Sequence, residues 1–493
     1  MGSLRLRFLV TAAALFGALA GGDGPALFGA GPAGADDLRS ALVSAYQTNP
    51  TLAAARENQK ATDESVNVAK APGLPSLSGT VTFTDFIKKS ANSFTSPDRA
   101  LDAQANLSVP IYSGGAVKNS VRAAETRIKA GQADLRGTES GLFSQVVAAY
   151  LDVISNEAIV GLGLHNVEVL GTSVQSTRDR FEIGDLTRTD VAQSQSRLAV
   201  ARSNLRLQRA NLAASREKYI QLVGHPPMVL DPPPPLPGMP ASPDEAIQSA
   251  LDNNPDLIAA RIRSKAAGYD VAVAGSGRLP KIALFSGVDY TDYMGTLGAG
   301  TVPAGTLSQK TTTAQAGVRI NIPIFSGGLP AAQQRQARAR EGAVLDQEIG
   351  TERAVIAGVR SAYSQWQAAG EVIGSNQQAV DAAALSLEGV RAENSVGNRT
   401  ILDILNAEQE LLNAQVNLVT ARRNAYVAGF NLLAAMGKAE ARDLGLDGGA
   451  LYDPQVNYER VKGKIWDWSQ DPDPSTDATR TVDTPAQDGS VTP

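Results

Sequence analysis

Residues 109–115 read VPIYSGG, and residues 322–328 read IPIFSGG. The two stretches lie 213 positions apart, and the same shift carries Ala149-Tyr150 onto Ala362-Tyr363 and Gly184 onto Gly397. It also carries Asn204-Leu205 onto Asn417-Leu418 and Gly224 onto Gly437. Upstream, Asn49-Pro50 returns as Asn254-Pro255 at a shift of 205, with Arg56 on Arg261, Lys60 on Lys265 and Leu74-Pro75 on Leu279-Pro280. Register held over this length marks an internal duplication. The single change of shift falls between residues 75 and 109, so the second copy carries one longer loop, expected at 294–312.

Each copy opens with a helix, meets Leu-Pro, and continues into two alternating runs. In 76–86, Leu77, Gly79, Val81 and Phe83 share a face opposite Ser and Thr. In 103–111, Ala103, Ala105, Leu107, Val109 and Ile111 alternate with Gln104, Asn106 and Ser108. The second copy repeats this in 282–290 and 314–324. Period two predicts strands with one apolar and one polar face. Their length suits either a tilted span of ~9–11 residues across a bilayer or a half-buried soluble hairpin. Pro110 and Pro323 are expected to stop the strands, and Ser-Gly-Gly to make the turn.

Long helices follow. Val146, Val153, Val160, Val167 and Val174 recur every seven residues, and their counterparts are Val359, Trp366, Ile373, Val380 and Leu387. The returning helices carry Val191, Leu198, Leu205, Leu212 and Tyr219, then Ile404, Leu411, Leu418, Ala425 and Leu432. A narrow apolar seam at heptad spacing predicts coiled-coil packing. A helix over 329–393 is ~97 Å long at ~1.5 Å per residue, more than a compact domain uses.

Arg5 and Arg7 precede the short apolar run 8–20, which reads as a secretory signal peptide. Small residues at Ala18 and Ala20, and again at Ala33 and Ala35, offer two cleavage sites, of which the one after Ala35 leaves a good helix start at Asp36-Asp37-Leu38. No later run is expected to be apolar for ~18 residues, so a membrane crossing would have to use strands. Four strands do not close a barrel; at least ~8 are needed, so two or more chains would share one.

The chain has no cysteine, which excludes disulfides, thiolate metal sites and thiol nucleophiles, and its two histidines, His165 and His225, lie far apart. With 45 basic and 50 acidic residues, it has no basic face for nucleic acid. No catalytic constellation, cofactor motif or metal cluster is found. The division expected is 1–35 signal peptide, 36–224 first repeat, 225–243 Pro-rich linker, 244–437 second repeat and 438–493 a C-terminal segment. From Asp471 this segment is rich in Asp, Pro, Thr and Ser and reads as a disordered tail, with Trp466 and Trp468 anchoring the last ordered part.

Residues 394–405, NSVGNRTILDIL, resemble the segment YSVGTRTIVDVL of TolC-family outer-membrane efflux proteins. Residues 181–190, FEIGDLTRTD, resemble the equivalent tip in the first copy, and the similarity spans roughly 38–450. The resemblance implies a mixed α+β membrane protein of a Gram-negative outer membrane. It implies a homotrimer in which four strands per chain complete a twelve-stranded barrel, continued by a hollow α-helical coiled-coil tunnel through the periplasm. It further implies docking of a periplasmic adaptor (membrane fusion) protein and an inner-membrane ABC or RND-type pump, and export of proteins or small molecules. A passive structural or adhesive surface coiled coil is the competing reading; it explains the heptads but not the four amphipathic strands.

The resemblance also assigns a gate. Thr189 and Asp190 would meet Arg399, partly across protomers, and Asp403 would form a ring of three carboxylates at the constriction. Asp190 and Asp403 are equivalent in the two copies, and helix capping explains a first-turn carboxylate equally well. Asn394 stands where the family has tyrosine, and Asn406 where it has a second aspartate ring, so a weaker closed state and weaker cation preference are expected. Gly184, Asp185, Leu186, Val396 and Gly397 would form the partner-docking tips.

Overall fold

The two Asn-Pro landmarks each begin a helix and tie it to a distant one. In a computed structural model describing residues 36–88, 96–299, 303, 305–446 and 451–491, Asn49 caps α2 (Pro50–Asp63) by accepting from Thr51 N at 2.9 Å. Its amide donates to Leu222 O at 3.0 Å. Asn254 caps α7 (Pro255–Gly275) in the same way and donates to Ala435 O at 3.0 Å. Both asparagines are buried, so each satisfies backbone groups that water cannot reach. Arg56 and Arg261 likewise donate to the carbonyls of Tyr46 and Leu251, holding α2 to α1 (Leu38–Thr48) and α7 to α6 (Pro243–Asn253). The expected signal peptide, 1–35, lies outside the described residues.

The rest of each copy follows in matching order. After α2 the first copy runs through α3 (Ser65–Lys70), β1 (Ser76–Asp85), β2 (Arg99–Tyr112), α4 (Ala116–Glu182) and α5 (Arg188–Val223). The second runs through β3 (Lys281–Asp292), β4 (Lys310–Asn321), α8 (Leu329–Ser395) and α9 (Ile401–Ala435). A last helix, α10, covers Pro454–Val461. The Ser-Gly-Gly turns leave Gly115 at φ 81° and Gly328 at φ 79°, in the left-handed region that excludes most side chains, directly before the two 67-residue helices.

The strands form one antiparallel sheet in the order β1-β2-β3-β4. Pairing of β2 with β3 joins the two copies, Ala105 opposite Val288 and Leu107 opposite Ser286. Pro110 does not stop β2; the strand continues to Tyr112 across a register shift between Pro110 and Tyr112, which accommodates the missing N–H. Pro323 does follow the end of β4 at Asn321. The outer edges of β1 and β4 have no partner strand among the described residues, and Leu77, Val81, Phe83, Val318 and Ile320 stand exposed.

The core lies where the helices bundle. Phe143, Tyr150, Leu212, Tyr219, Phe430 and Leu433 are buried together, with α1 closing over them. The α4 series Val146, Val153, Val160 and Val174 is buried. In α8, only Val359, Ala383 and Leu387 are buried, although that helix has the same length. Contrary to expectation, α4 contains an 18-residue window apolar enough to cross a membrane by length and composition, at mean hydropathy 1.4. Half of that window is buried, because its apolar side chains form this core.

The C-terminal segment departs most from expectation. The tail is docked along α5: Arg216 donates to Asp488 O at 2.9 Å and Ser490 O at 3.0 Å, and Gln487 N donates to Glu217 at 2.8 Å. Trp466 and Trp468 are not packed into a core among the described residues; they are 72% and 80% exposed. The Pro-rich linker is more than a spacer, since Leu230 is buried and Leu236 and Met239 pack on the core.

Tyr150 and Tyr363 are counterparts, but their settings differ. Tyr150 is fully buried, and its single hydroxyl proton is shared between Asp231 O at 2.6 Å and Asp36 O at 2.9 Å. Burial pushes its phenol well above the usual range, so it stays a donor. Tyr363 makes one 3.3 Å bond, to Ala241 O. Tyr150→Phe should therefore lower stability by about 1–2 kcal/mol, and Tyr363→Phe by less than half of that. Thermal loss of helical circular dichroism in detergent checks this; equal shifts would contradict it.

Candidate functional site at the helix-hairpin tips

The two long hairpins turn at equivalent glycines. Gly184 and Gly397 adopt φ 84° and 83°, ending α4 and α8 so that the chain can reverse. Thr187 then caps α5 and Thr400 caps α9, each in a reciprocal capping box. Asp190 Oδ2 accepts from Thr187 N at 2.9 Å and Thr187 Oγ1 at 2.7 Å. Asp403 Oδ2 accepts from Thr400 N at 2.9 Å and Thr400 Oγ1 at 2.8 Å.

These bonds favour the ionised carboxylates. Asp190 titrates below the usual range because of the Thr187 hydroxyl and then its N–H. Asp403 does so because of the Thr400 N–H and hydroxyl, with a smaller contribution from Arg399. A lowered folded pKa means that the caps contribute fully above the ordinary carboxylate range of about 4 and weaken as pH falls through the lowered value. The helices thus begin two residues before Asp190 and Asp403, and the capping reading describes both within one chain. The T-x-x-D spacing at Thr187 and Thr400 is the signal that locates these caps in the sequence.

Arg399 is held inside its own chain. Its Nε donates to Glu393 Oε2 at 2.7 Å, and Asn394 Nδ2 donates to Arg399 O at 2.6 Å. The expected meeting of Arg399 with Thr189 and Asp190 is therefore not made within a protomer. The first tip is built with opposite polarity, Arg180 Nε donating to Asp185 Oδ2 at 2.7 Å from the position equivalent to Glu393. All four charged side chains of these two pairs are at least 38% exposed, so the pairs shape the loops without locking them. Glu393 and Arg180 escape sequence reading because charges recur all along these helices.

Asn406 is also engaged. Its Oδ1 accepts from Arg197 NH2 at 2.8 Å, linking α9 to α5 across the two copies. Nearby, Arg391 pairs with Glu408 between α8 and α9. Below the tips, Leu170, Val174, Leu198, Ala201 and Leu405 form a small buried cluster that holds the hairpins together. Thr189, Asp185, Val396 and Gly397 remain exposed, and Leu186 is half-buried.

The profile of the family described as outer membrane efflux protein matches residues 41–225 and 246–438, one block per copy. The chain belongs to this family. It is 34% identical over 438 residues to the outer membrane efflux protein BepC of Brucella suis, covering 89% of this chain and 93% of that one. It is 27% identical to the outer membrane protein TolC of Escherichia coli, covering 89% and 91%. Among solved structures it resembles the Campylobacter jejuni CmeC outer membrane channel, with TM-score 0.71, 16% identity, and 86% and 89% of the chains covered. The fold is that of a barrel-plus-tunnel channel, the location is the outer membrane, and the role is efflux.

The caps give a local prediction. Thr187→Ala or Thr400→Ala removes a contribution of ~1 kcal/mol from one helix start, so amide protection there should fall roughly five-fold. Hydrogen exchange followed by mass spectrometry checks this. Protection lost along the whole of α5 or α9 would show that the caps do more than set the tip.

Proposed function

We propose that three copies of this chain form one gated exit duct, each completing the sheet and the helical wall of the next. The observation that carries this reading is the duplication itself. Inside one chain, β2 of the first copy pairs with β3 of the second, and α4 packs along α7. Among the described residues of one chain the equivalent partners are not joined in this way: β4 does not pair with β1, and α8 does not pack along α2. They are the surfaces left open: Leu345, Ile349, Val372 and Leu385 on α8 are all exposed. Repeating the internal contact between chains satisfies both edges, and four strands from each of three chains give the twelve-stranded barrel.

At the far end, the tips, with Gly184, Asp185, Val396 and Gly397 exposed and Leu186 half-buried, would meet a periplasmic adaptor and an inner-membrane pump. Arg399 would exchange its Glu393 partner for Thr189 and Asp190 of a neighbouring protomer in the closed entrance. The three copies of Asp403 would ring the constriction, and Asn406, held by Arg197, would leave the second ring uncharged. A single carboxylate ring attracts cations less than two rings do.

The register of the shared sheet can be tested directly. The shifts of 213 and 205 carry the Leu107–Ser286 pair onto Ile320 and Val81 of the next chain. In this cysteine-free protein, Val81→Cys with Ile320→Cys should oxidise to covalent dimers and trimers. Leu107→Cys with Ser286→Cys should close within one chain. Failure of the first pair alongside success of the second would contradict the shared barrel.

Conductance tests the gate. In planar bilayers, Arg399→Ala should enlarge the single-channel steps while leaving cation preference in place, and Asn406→Asp should raise that preference. Steps unaltered by Arg399→Ala would move the gate elsewhere.

A further inference from the structure

Helix α10 runs alongside the segment that enters the barrel. Asn457 Nδ2 donates to Asp63 at 2.7 Å, Asn67 Nδ2 to Val461 O at 2.8 Å, and Lys70 Nζ to Lys462 O at 2.9 Å. The ascending order on both sides means that α10 and α2–α3 run in the same direction, towards β1. Lys70 lies six residues before the first residue of β1 and reaches Lys462 through its side chain, so Lys462 is held within ~30 Å of the barrel's periplasmic end. Trp466, four residues further on, lies within another ~14 Å.

The chain then turns back. Arg460 grips Asp471 with two bonds of 2.9 Å, and Lys464 pairs with the same carboxylate. Ser469 N donates to Trp466 O at 3.0 Å. Beyond Asp471 the tail heads the opposite way: Thr479 sits against Gly224, and Gln487 and Asp488 sit against Glu217 and Arg216. Residues 460–471 therefore form a closed loop whose apex points along α2–α3, to the membrane side. That apex carries Ile465, Trp466 and Trp468, each at least 71% exposed. Loops in water do not usually hold three such side chains outward.

We propose that this loop is an interfacial anchor, with Trp466 and Trp468 inserted into the phospholipid leaflet on the periplasmic side of the outer membrane. Trp suits that depth, having an apolar body and one N–H for the headgroup region. At the barrel's lower rim, where the strands end, Tyr112, Ile324 and Phe325 are exposed as well. The lone charge at the apex, Asp467, and the internally paired Arg460, Lys462 and Lys464 leave no excess of positive charge, so the attraction is to the interface itself rather than to anionic lipid. The inference rests on the outer-membrane placement of the barrel.

The protein has three tryptophans, so Trp366→Phe leaves only the apex pair fluorescent. This full-length variant is reconstituted into phosphatidylcholine vesicles brominated near the headgroup or near the chain ends. The expected result is emission lost in the shallow-brominated vesicles and less so in the deep-brominated ones. Emission untouched by bromine but quenched by aqueous iodide would put the apex in water and overturn the proposal. Emission untouched by both would bury it against another copy and also overturn it. Comparing the unaltered protein with Trp466→Phe/Trp468→Phe gives the same difference without depending on position 366.

Discussion

Two sheet edges stand open in the isolated chain, β1 on one side and β4 on the other. In water an open edge invites aggregation; in lipid each unpaired N–H or C=O costs several kcal/mol. The outward-facing valines, leucines and isoleucines of this sheet commit it to lipid, so the edges must be paired by another chain. Much else in the molecule follows from that constraint. In the proposed assembly, closure sets how many chains assemble, a neighbour covers the bare seam of α8, and the covered seams make a wall rather than a bundle.

The duplication makes such closure economical. One chain already contains the joint that the assembly repeats, between β2 and β3 and between α4 and α7. The two joints need not be equal in strength. Within the chain Asp134 pairs with Arg263 and Arg127 with Asp270; the shifted positions between chains are Gln347 with Asn58 and Arg340 with Ser65. At these two positions the joint inside a chain carries exposed ion pairs, and the shifted positions carry a neutral pair and a single charge.

The duplication, the strands and the heptad seams were legible because each rests on a period that the backbone imposes. Asn49 and Asn254 stood out as repeated residues, and their role in joining α1–α2 to the end of α5, and α6–α7 to the end of α9, emerged only from the fold. Pro110 misled because a bulge can absorb a missing donor inside a strand. The tail misled because its composition lacks apolar residues, whereas its order comes from Arg216 and Glu217, some 270 positions away in sequence. Trp466 and Trp468 suggest an anchor for the last ordered segment, but a large apolar ring gives no sign of which phase it faces, and both stand exposed. At the tips, the sequence located Asp190, Asp403 and Arg399, but not that Thr187, Thr400 and Glu393 hold them within one chain.

The central claim is that three chains share one wall. End-on electron-microscopic views of the purified protein test it most directly. The account predicts a single central opening with three-fold symmetry, ringed in the lower tunnel by twelve helices, four from each chain: α4, α5, α8 and α9. Particles with a different rotational symmetry, or without a continuous opening, would contradict it.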